Sequence, residues 1–278
     1  MKTQEVVDGF LSDCKLRGLS VKTLKDYNRY ANQLPNLSPY FPPKPLIIQT
    51  FLAGVKSPYL ADLYYRIWHA LGGYAERQDG TPNFMRSVTR PRVPQKIMDT
   101  ISGTELNLLA WALQKATPRD KAVMALFLDT AVRIGEAANL KRADIKDDVI
   151  VVHGKTGYRV VPISHIARDF LLSLPIRDDG YVFHGRYGKP LKESGLYKVC
   201  RRYLIKVGYS GDHYGPQTLR RSFGRFWFKE GGDVRSLQLI YGHASPTTTL
   251  KYYAAFQVED VVEIHHKHTP IKVFEEIK

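Results

Sequence analysis

The sequence predicts a mainly α-helical protein with a small β-sheet, divided into two domains. Apolar residues recur at helical spacing through most of the chain, and two runs rich in β-branched residues flank a short turn near its middle. A basic segment with two prolines separates two helical regions. At 278 residues the chain is long enough for each domain to bury its own core. We therefore expect one domain over residues 1–85, a linker over 86–100 and a second domain over 101–278.

The amino-terminal region has the pattern of a small helical bundle. Helical signals cover residues 4–17, 20–34, 46–53 and a longer stretch after Ser57. In the first, Val7, Phe10 and Cys14 share one face, and Gly18 is positioned to end the helix. The last is the clearest, because Ser57 and Pro58 form an N-cap and first-turn pair ahead of a long apolar stripe.

The second region is predicted to be mostly helical from Ser102 onward, with one β-hairpin. The expected strands are VIVVH over residues 149–153 and YRVVP over residues 158–162, separated by the turn sequence GKTG. Residues 87–96, SVTRPRVPQK, combine basic side chains with two prolines, as expected of a linker. We place the domain boundary in that segment.

The charge balance indicates a polyanionic partner. Lys and Arg number 41 against 27 Asp and Glu, a formal net charge of +14, which makes nucleic acid the leading candidate. Solvated charges or attraction to an anionic lipid surface are the alternatives. No apolar run approaches the length of a membrane span, and the amino terminus lacks an apolar signal core. Cys14 and Cys200 lack C-x-x-C spacing, which favours a reducing, cytoplasmic setting.

Six polar residues in the second half of the chain suggest one reaction. They are Arg133 in AVRIGEAANL, Lys155 in HGKTG, Gln217 and Arg220 in QTLRRSF, and His243 and Tyr252 in YGHASPTTTLKYYA. Their types and order resemble the tyrosine recombinase, or phage integrase, family, and the resemblance covers nearly the whole chain. Each box alone is a weak signal, because arginine ion pairs, turn lysines and core tyrosines are common. The ordered set is a strong one.

This resemblance implies a helical core-binding (SAM-like) domain followed by a tyrosine recombinase catalytic domain. It implies a site-specific recombinase or integrase that cuts and rejoins DNA through a 3′-phosphotyrosyl intermediate, with no metal or other cofactor. The implied partner is double-stranded DNA with a specific recombination site, bound by four protomers on two sites. Accessory proteins are further candidate partners, and no membrane partner is expected.

The residue types suit this chemistry. Arg133 and Arg220 can each donate parallel hydrogen bonds to phosphate oxygens and stay protonated. Lys155 on the hairpin turn could protonate the leaving 5′ oxygen, and a tyrosine oxygen can hold the phosphoryl group covalently. The resemblance selects Tyr252 as the nucleophile, because it follows His243 by nine positions, and implies that His243 hydrogen-bonds the scissile phosphate.

One position departs from the family pattern. The second box begins with His or Lys in the family, whereas this chain has Gln217, whose amide can donate a hydrogen bond but cannot exchange a proton at neutral pH. His213, four residues earlier, would be a substitute only if the intervening turn folded back. Acid–base help from this position is therefore not expected.

Two other functions are kept beside the recombinase. A type IB topoisomerase resembles this family in its Arg, Lys, His and Tyr chemistry, and it would relax DNA without site preference. A noncatalytic DNA-binding protein on the same scaffold is favoured only by Gln217. His265, His266 and His268 do not predict a metal site, because consecutive histidines do not share a helical face.

Overall fold

The computed structural model describes residues 1–94, 99–154, 157–211, 213–250 and 262. The chain divides into two compact units, Met1–Lys96 and Ile97–Lys278, here called unit 1 and unit 2. The predicted fold class is confirmed, because the described residues are mostly helical and include a small two-stranded sheet.

Unit 1 is a bundle of helices. They are α1 (Thr3–Leu16), α2 (Val21–Ala31), α3 (Leu34–Leu37), α4 (Pro45–Gly54), α5 (Pro58–Asp79) and a 3₁₀ helix (Phe84–Ser87). The predicted starts have the expected caps, since the side chains of Ser20 and Ser57 accept hydrogen bonds from the amides of Thr23 and Leu60. The longest helix, α5, ends at Gly80, which has a φ of 74°.

The core of unit 1 is built around the apolar stripe of α5. Ile67, Trp68 and Leu71 are fully or almost fully buried, and Phe10 of α1 is buried with them. The indole nitrogen of Trp68 donates to the Tyr30 carbonyl at 3.1 Å, so the buried ring also satisfies its one polar atom.

Several residues of the expected linker contact unit 1. Val88 is buried in unit 1, and Arg90 binds Asp62 at 2.7 Å, while the Tyr59 hydroxyl donates to the Pro94 carbonyl. Within unit 2, the Ile101 amide donates to the Ser222 hydroxyl at 2.8 Å. Residues 95–98, between these anchored stretches, lie outside the described residues.

Unit 2 contains the remaining elements. They are α6 (Gly103–Leu113), α7 (Pro118–Thr130), α8 (Ile134–Ala138), a 3₁₀ helix (Arg142–Asp144), β1 (Val149–Gly154), β2 (Gly157–Pro162), α9 (His165–Leu172), α10 (Glu193–Lys206), α11 (Pro216–Lys229), α12 (Val234–Tyr241) and α13 (Pro246–Leu250). Its core buries Leu109, Phe127, Leu219 and Tyr241, which come from four of these helices. Helix α7 packs against both α9 and α11.

The hairpin forms where the sequence predicts it. Strands β1 and β2 are antiparallel, with Val149 opposite Pro162 and Gly154 opposite Gly157. Ile150, Val152 and Val161 are buried, so one face of the hairpin covers the core. Arg159 is two residues before Val161 and therefore lies on the same face, because side chains alternate along a strand.

Helices long and apolar enough to cross a membrane are absent from the part of the chain that the structure describes.

Candidate active site

Arg133 stands at the start of α8, after a sharp turn in the backbone. Helix α7 ends at Ala131, which has a φ of 50°, a conformation that costs an alanine about 1–2 kcal/mol. The chain then enters α8 with Arg133 at the N-cap position. The Arg133 side chain is 40% exposed, and its Nη2 donates to the Gly242 carbonyl at 3.1 Å. An arginine held in this way still has surface available for an anion.

Glu136 is the buried carboxylate that holds Arg133. It accepts from the Arg133 amide at 2.7 Å and from Arg133 Nη1 at 3.0 Å. Arg159 donates to the same carboxylate through Nε at 3.1 Å and Nη2 at 2.7 Å. Burial by itself raises the pKa of Glu136, but these hydrogen bonds and charges outweigh it and lower the pKa below its usual value. Glu136 therefore stays ionised at neutral pH.

Arg220 of α11 is buried, with 2% of its surface exposed. Its Nη1 donates to the Ala131 carbonyl, and its Nη2 donates to the Tyr241 carbonyl at 2.7 Å. The guanidinium also lies 4.2 Å from the centre of the Tyr241 ring. Arg220 thus joins the carboxyl ends of α7 and α12, where backbone carbonyls lack partners within their own helices.

His243 follows Gly242 at the end of α12, as predicted. Its Nε2 lies 3.3 Å from Arg220 Nη2, and its Nδ1 lies 3.0 Å from the Thr249 hydroxyl. Because a guanidinium can only donate, Nε2 accepts and the proton of the neutral ring is on Nδ1. Burial, followed by the positive charges of Arg220, Arg133 and Arg159, lowers the pKa of His243 to about 4. The ring is therefore neutral at pH 7.

Gln217 and His213 do not join this group through hydrogen bonds in the described structure. Gln217 is exposed in the first turn of α11, one turn before Arg220. The centres of the His213 and Tyr214 rings lie 4.0 Å apart with the rings tilted at 41°, and His213 Nε2 lies 4.0 Å from an Asp99 carboxylate oxygen. The described contacts of His213 are therefore with Asp99 and Tyr214. They give no support to the idea that His213 replaces Gln217 in proton exchange.

Lys155 and Tyr252 lie outside the described residues. The chain brackets both of them. Gly154 and Gly157, on either side of Lys155 and Thr156, pair across the hairpin. Helix α13 begins at Pro246, and Ser245 accepts a hydrogen bond from the Thr247 amide, as predicted for its N-cap. Tyr252 follows two residues after Leu250 of that helix.

Among the described residues, no group of three or more His, Cys, Asp or Glu side chains is arranged to hold a metal ion. His265, His266 and His268 lie outside those residues. The charged groups that converge in unit 2 are instead three guanidinium groups, Arg133, Arg159 and Arg220, which we call the arginine cluster. Its only carboxylate partner among the described contacts is Glu136. Such an excess of positive charge suits an anion.

The sequence profile of the Phage integrase family matches residues 94–259, more than half of the chain. The chain belongs to the phage integrase family. Among curated relatives, tyrosine recombinase XerC of Chlamydia trachomatis serovar D is 32% identical over 176 residues, covering 58% of this chain and 56% of the relative. This match therefore spans little more than half of that relative. XerC of Nitrobacter winogradskyi is 28% identical, covering 91% of this chain and 89% of its own.

Solved structures of integrase-family proteins share the fold. A lambda integrase dimer bound to a COC′ core site matches with a TM-score of 0.74 at 20% identity, covering 91% of this chain and 77% of that one. XerH site-specific recombinase in a post-cleavage complex with palindromic difH substrate matches with a TM-score of 0.73 at 19% identity, covering 96% and 85%.

Arg159 is the member of the arginine cluster that sequence reasoning missed. Its side chain is 15% exposed and lies on the inward face of the β1–β2 hairpin. The signal was present in the alternation of YRVVP, which places Arg159 on the same face as buried Val161. A charged residue at an inward strand position requires a buried partner, and Glu136 is that partner.

Gly242 is the point where a side chain would disturb the arginine cluster. Its φ is 60°, and an added Cβ would lie 2.6 Å from Arg159 Cδ. We expect Gly242→Ala to destabilise unit 2 by about 1–2 kcal/mol through backbone strain and also to displace Arg159. Gly231→Ala is the matched control, because Gly231 has a φ of 85° but no atom within 4 Å of its Cβ position. Thermal unfolding should detect both losses, with the larger loss in Gly242→Ala because of the contact with Arg159; equal losses in the two variants would contradict this.

The low pKa of His243 predicts a pH-dependent stability. The unfolded chain protonates this ring near pH 6.5, whereas the folded protein does so only near pH 4. The ring therefore has no effect above pH 6.5, and its burial destabilises the fold increasingly as the pH falls from 6.5 to 4. Between pH 7.5 and pH 5, the free energy of unfolding measured in urea should fall on the order of 1–2 kcal/mol more for wild type than for His243→Gln. Identical losses would mean that His243 titrates normally.

Proposed function

We propose that this chain is a site-specific DNA recombinase, or integrase, that cuts and rejoins strands through a 3′-phosphotyrosyl intermediate. The observation that carries the proposal is the arginine cluster, whose three guanidinium groups all donate to backbone carbonyls at the carboxyl end of α12, where the neutral His243 ring lies 3.3 Å from Arg220. This arrangement favours a phosphodiester anion over a neutral or cationic ligand. Membership of the phage integrase family supports the same conclusion.

Arg133 and Arg220 bind the scissile phosphate in this proposal. Arg133 has exposed guanidinium surface, and Arg220 Nη2 and His243 Nε2 face each other at 3.3 Å. A phosphate oxygen bound beside them accepts from Arg220, and its charge raises the pKa of His243, so that the ring becomes a donor to the phosphate. Developing charge on the phosphoryl oxygens in the transition state strengthens these hydrogen bonds.

Tyr252 is the proposed nucleophile at phosphorus, and Lys155 is the proposed acid that protonates the leaving group. The Tyr252 hydroxyl loses its proton to water as its oxygen attacks phosphorus, the bond to the 5′ oxygen breaks, and Lys155 gives that oxygen its proton. The phosphoryl group stays on the 3′ oxygen of the DNA and links it to the tyrosine oxygen. Attack by a 5′ hydroxyl reverses these steps: the hydroxyl proton returns to Lys155, and the released tyrosine oxygen takes a proton from water. The bond energy is retained throughout, so the reaction requires neither ATP nor a metal ion.

Gln217 contributes a hydrogen bond at most. Its exposed amide lies one turn from Arg220, where it can donate to a phosphate oxygen on bound DNA. It cannot exchange a proton at neutral pH, so the acid step is assigned to Lys155. Gln217 is also the feature that favours a noncatalytic DNA-binding protein.

Double-stranded DNA with a specific site is the proposed partner, bound by four protomers when two sites are synapsed. Lys22, Lys25 and Arg29 form an exposed basic row on α2, so residues 1–85 can bind the sugar–phosphate backbone as a core-binding domain. A lambda integrase structure of the same fold is a tetramer bound to a Holliday junction. A DNA substrate and two free cysteines fit the cytoplasm.

Covalent capture tests the proposal. The protein is incubated with supercoiled DNA and with fragmented source DNA in EDTA without ATP, then denatured, and protein-linked strands are isolated and sequenced. Adducts clustered at one sequence are expected. Adducts scattered along the DNA, together with relaxation of the supercoiled DNA, would identify a topoisomerase. Salt-sensitive binding without any adduct would instead support the noncatalytic function.

A further inference from the structure

Both strands of the hairpin contact Glu136 close to the turn that carries Lys155. From β2, Arg159 donates two hydrogen bonds to the Glu136 carboxylate, at 2.7 and 3.1 Å. From β1, Gly154 approaches so closely that an added Cβ would lie 3.2 Å from Glu136 Oε1. Lys155 is the residue after Gly154. The position of the hairpin end is therefore defined relative to this carboxylate.

The same carboxylate defines the position of Arg133. Glu136 accepts from both the Arg133 amide and the Arg133 guanidinium, at 2.7 and 3.0 Å. With 3% of its side chain exposed, Glu136 has little freedom to move. One buried group thus links a proposed phosphate-binding arginine to the hairpin of the proposed general acid.

Arg159 extends this connection to the histidine segment. Its Nη1 donates to the Ile240 carbonyl in the last turn of α12, and its Cδ packs against Gly242, the residue before His243. All three nitrogens of the Arg159 guanidinium therefore bind protein atoms, and the side chain is 15% exposed. These contacts span Glu136 and Ile240, which suits a residue that positions its neighbours.

We propose that Arg159 is a positioning residue for the general-acid step: by spanning Glu136 and Ile240, it holds the Lys155 hairpin in register with Arg133 and His243. This inference rests on the proposed function, in which Lys155 protonates the leaving 5′ oxygen. Loss of Arg159 leaves the phosphate-binding arginines and the nucleophile in the chain but removes the brace that orients the acid. The defect should therefore be confined to protonation of the leaving group.

A sulfur leaving group separates this role from a merely structural one. The probe is a duplex with the captured cleavage sequence in which sulfur replaces the bridging 5′ oxygen, because a thiolate is a weak base that departs without a proton. Arg159→Met is expected to cut the oxygen duplex at least about tenfold more slowly than wild type, and the sulfur duplex within about threefold of wild type. Single-turnover adduct formation measures both rates, and DNA affinity should change little.

Three further variants make the result decisive. Lys155→Ala should show the same rescue by sulfur; if it does not, the proposed acid is wrong and this inference falls with it. If Lys155→Ala is rescued but Arg159→Met is slow on both duplexes, or is unimpaired on the oxygen duplex, the inference alone is overturned.

Arg142→Met is the matched control, because Arg142 binds the Leu171 and Leu172 carbonyls away from the described site contacts, and both rates should stay normal. Arg159→Lys, which retains charge but not the planar fork, provides the same comparison if Arg159→Met does not fold.

Discussion

Tyr252→Phe is expected to abolish the covalent protein–DNA adduct while leaving DNA binding intact. Phenylalanine keeps the ring but lacks the oxygen that, in the proposed reaction, bonds to phosphorus, so no phosphotyrosine can form at this position. Denaturing gel electrophoresis of protein incubated with DNA that carries the captured sequence measures the adduct directly. A mobility shift under native conditions measures binding.

Tyr253→Phe is the matched control for this variant, because the two tyrosines are adjacent and the substitution is identical. Tyr253→Phe should retain the adduct. The opposite pattern would move the nucleophile to Tyr253, and retention of adduct in both variants would remove the nucleophile from this part of the chain altogether.

Arg220→Ala is expected to slow adduct formation at least about a hundredfold, because loss of a donor to the transition state commonly costs about 3–4 kcal/mol. The variant should also be less stable. Arg220 is 2% exposed, and its removal deprives the Ala131 and Tyr241 carbonyls of a donor, at about 1–3 kcal/mol for each group left buried without a partner. Single-turnover cleavage and urea unfolding measure the two effects separately.

Arg133→Ala and Arg142→Ala are the two comparisons for Arg220→Ala: the first removes the other proposed phosphate-binding arginine, and the second removes an arginine outside the arginine cluster. Arg133 is 40% exposed and binds the Gly242 carbonyl and Glu136, which keeps Arg159 as a partner when Arg133 is removed. Its removal should therefore slow cleavage by a similar factor with a smaller loss of stability. Arg142 binds three carbonyls near the end of α9, at Leu171, Leu172 and Leu174. Its removal should reduce stability without slowing cleavage. Normal cleavage by Arg220→Ala would contradict the assigned role.

The sequence predicted the elements well because their signals are local. Ser20 and Ser57 have the side-chain caps that start a helix, and the β-branched runs on either side of the GKTG turn form the predicted hairpin. The linker was harder to judge from composition. Arg90, Val88 and Pro94 looked like linker residues, but long-range contacts with Asp62, the core and Tyr59 pack them onto unit 1.

The described part of the site was predicted as a set of residues but not as a set of interactions. Resemblance located Arg133, Arg220 and His243, which do lie together. The spacing of Arg133 and Glu136 in the sequence also fits an ordinary helix-surface ion pair, whereas Glu136 is buried and binds Arg159 of a distant strand. Sequence periodicity reports which face a residue occupies but not its partner 23 positions away, so the brace at Arg159 emerged only from tertiary structure.

The central claim, transfer of a DNA strand to a tyrosine of this chain, is tested most directly by identifying the atom that carries the strand. The captured adduct is digested with nuclease and protease, and the nucleotide-linked peptide is sequenced by mass spectrometry. A nucleotide joined through its 3′ phosphate to Tyr252 is the expected product. A nucleotide on another residue, a linkage through a 5′ phosphate, or unmodified Tyr252 in a protein that has cut DNA would contradict the account.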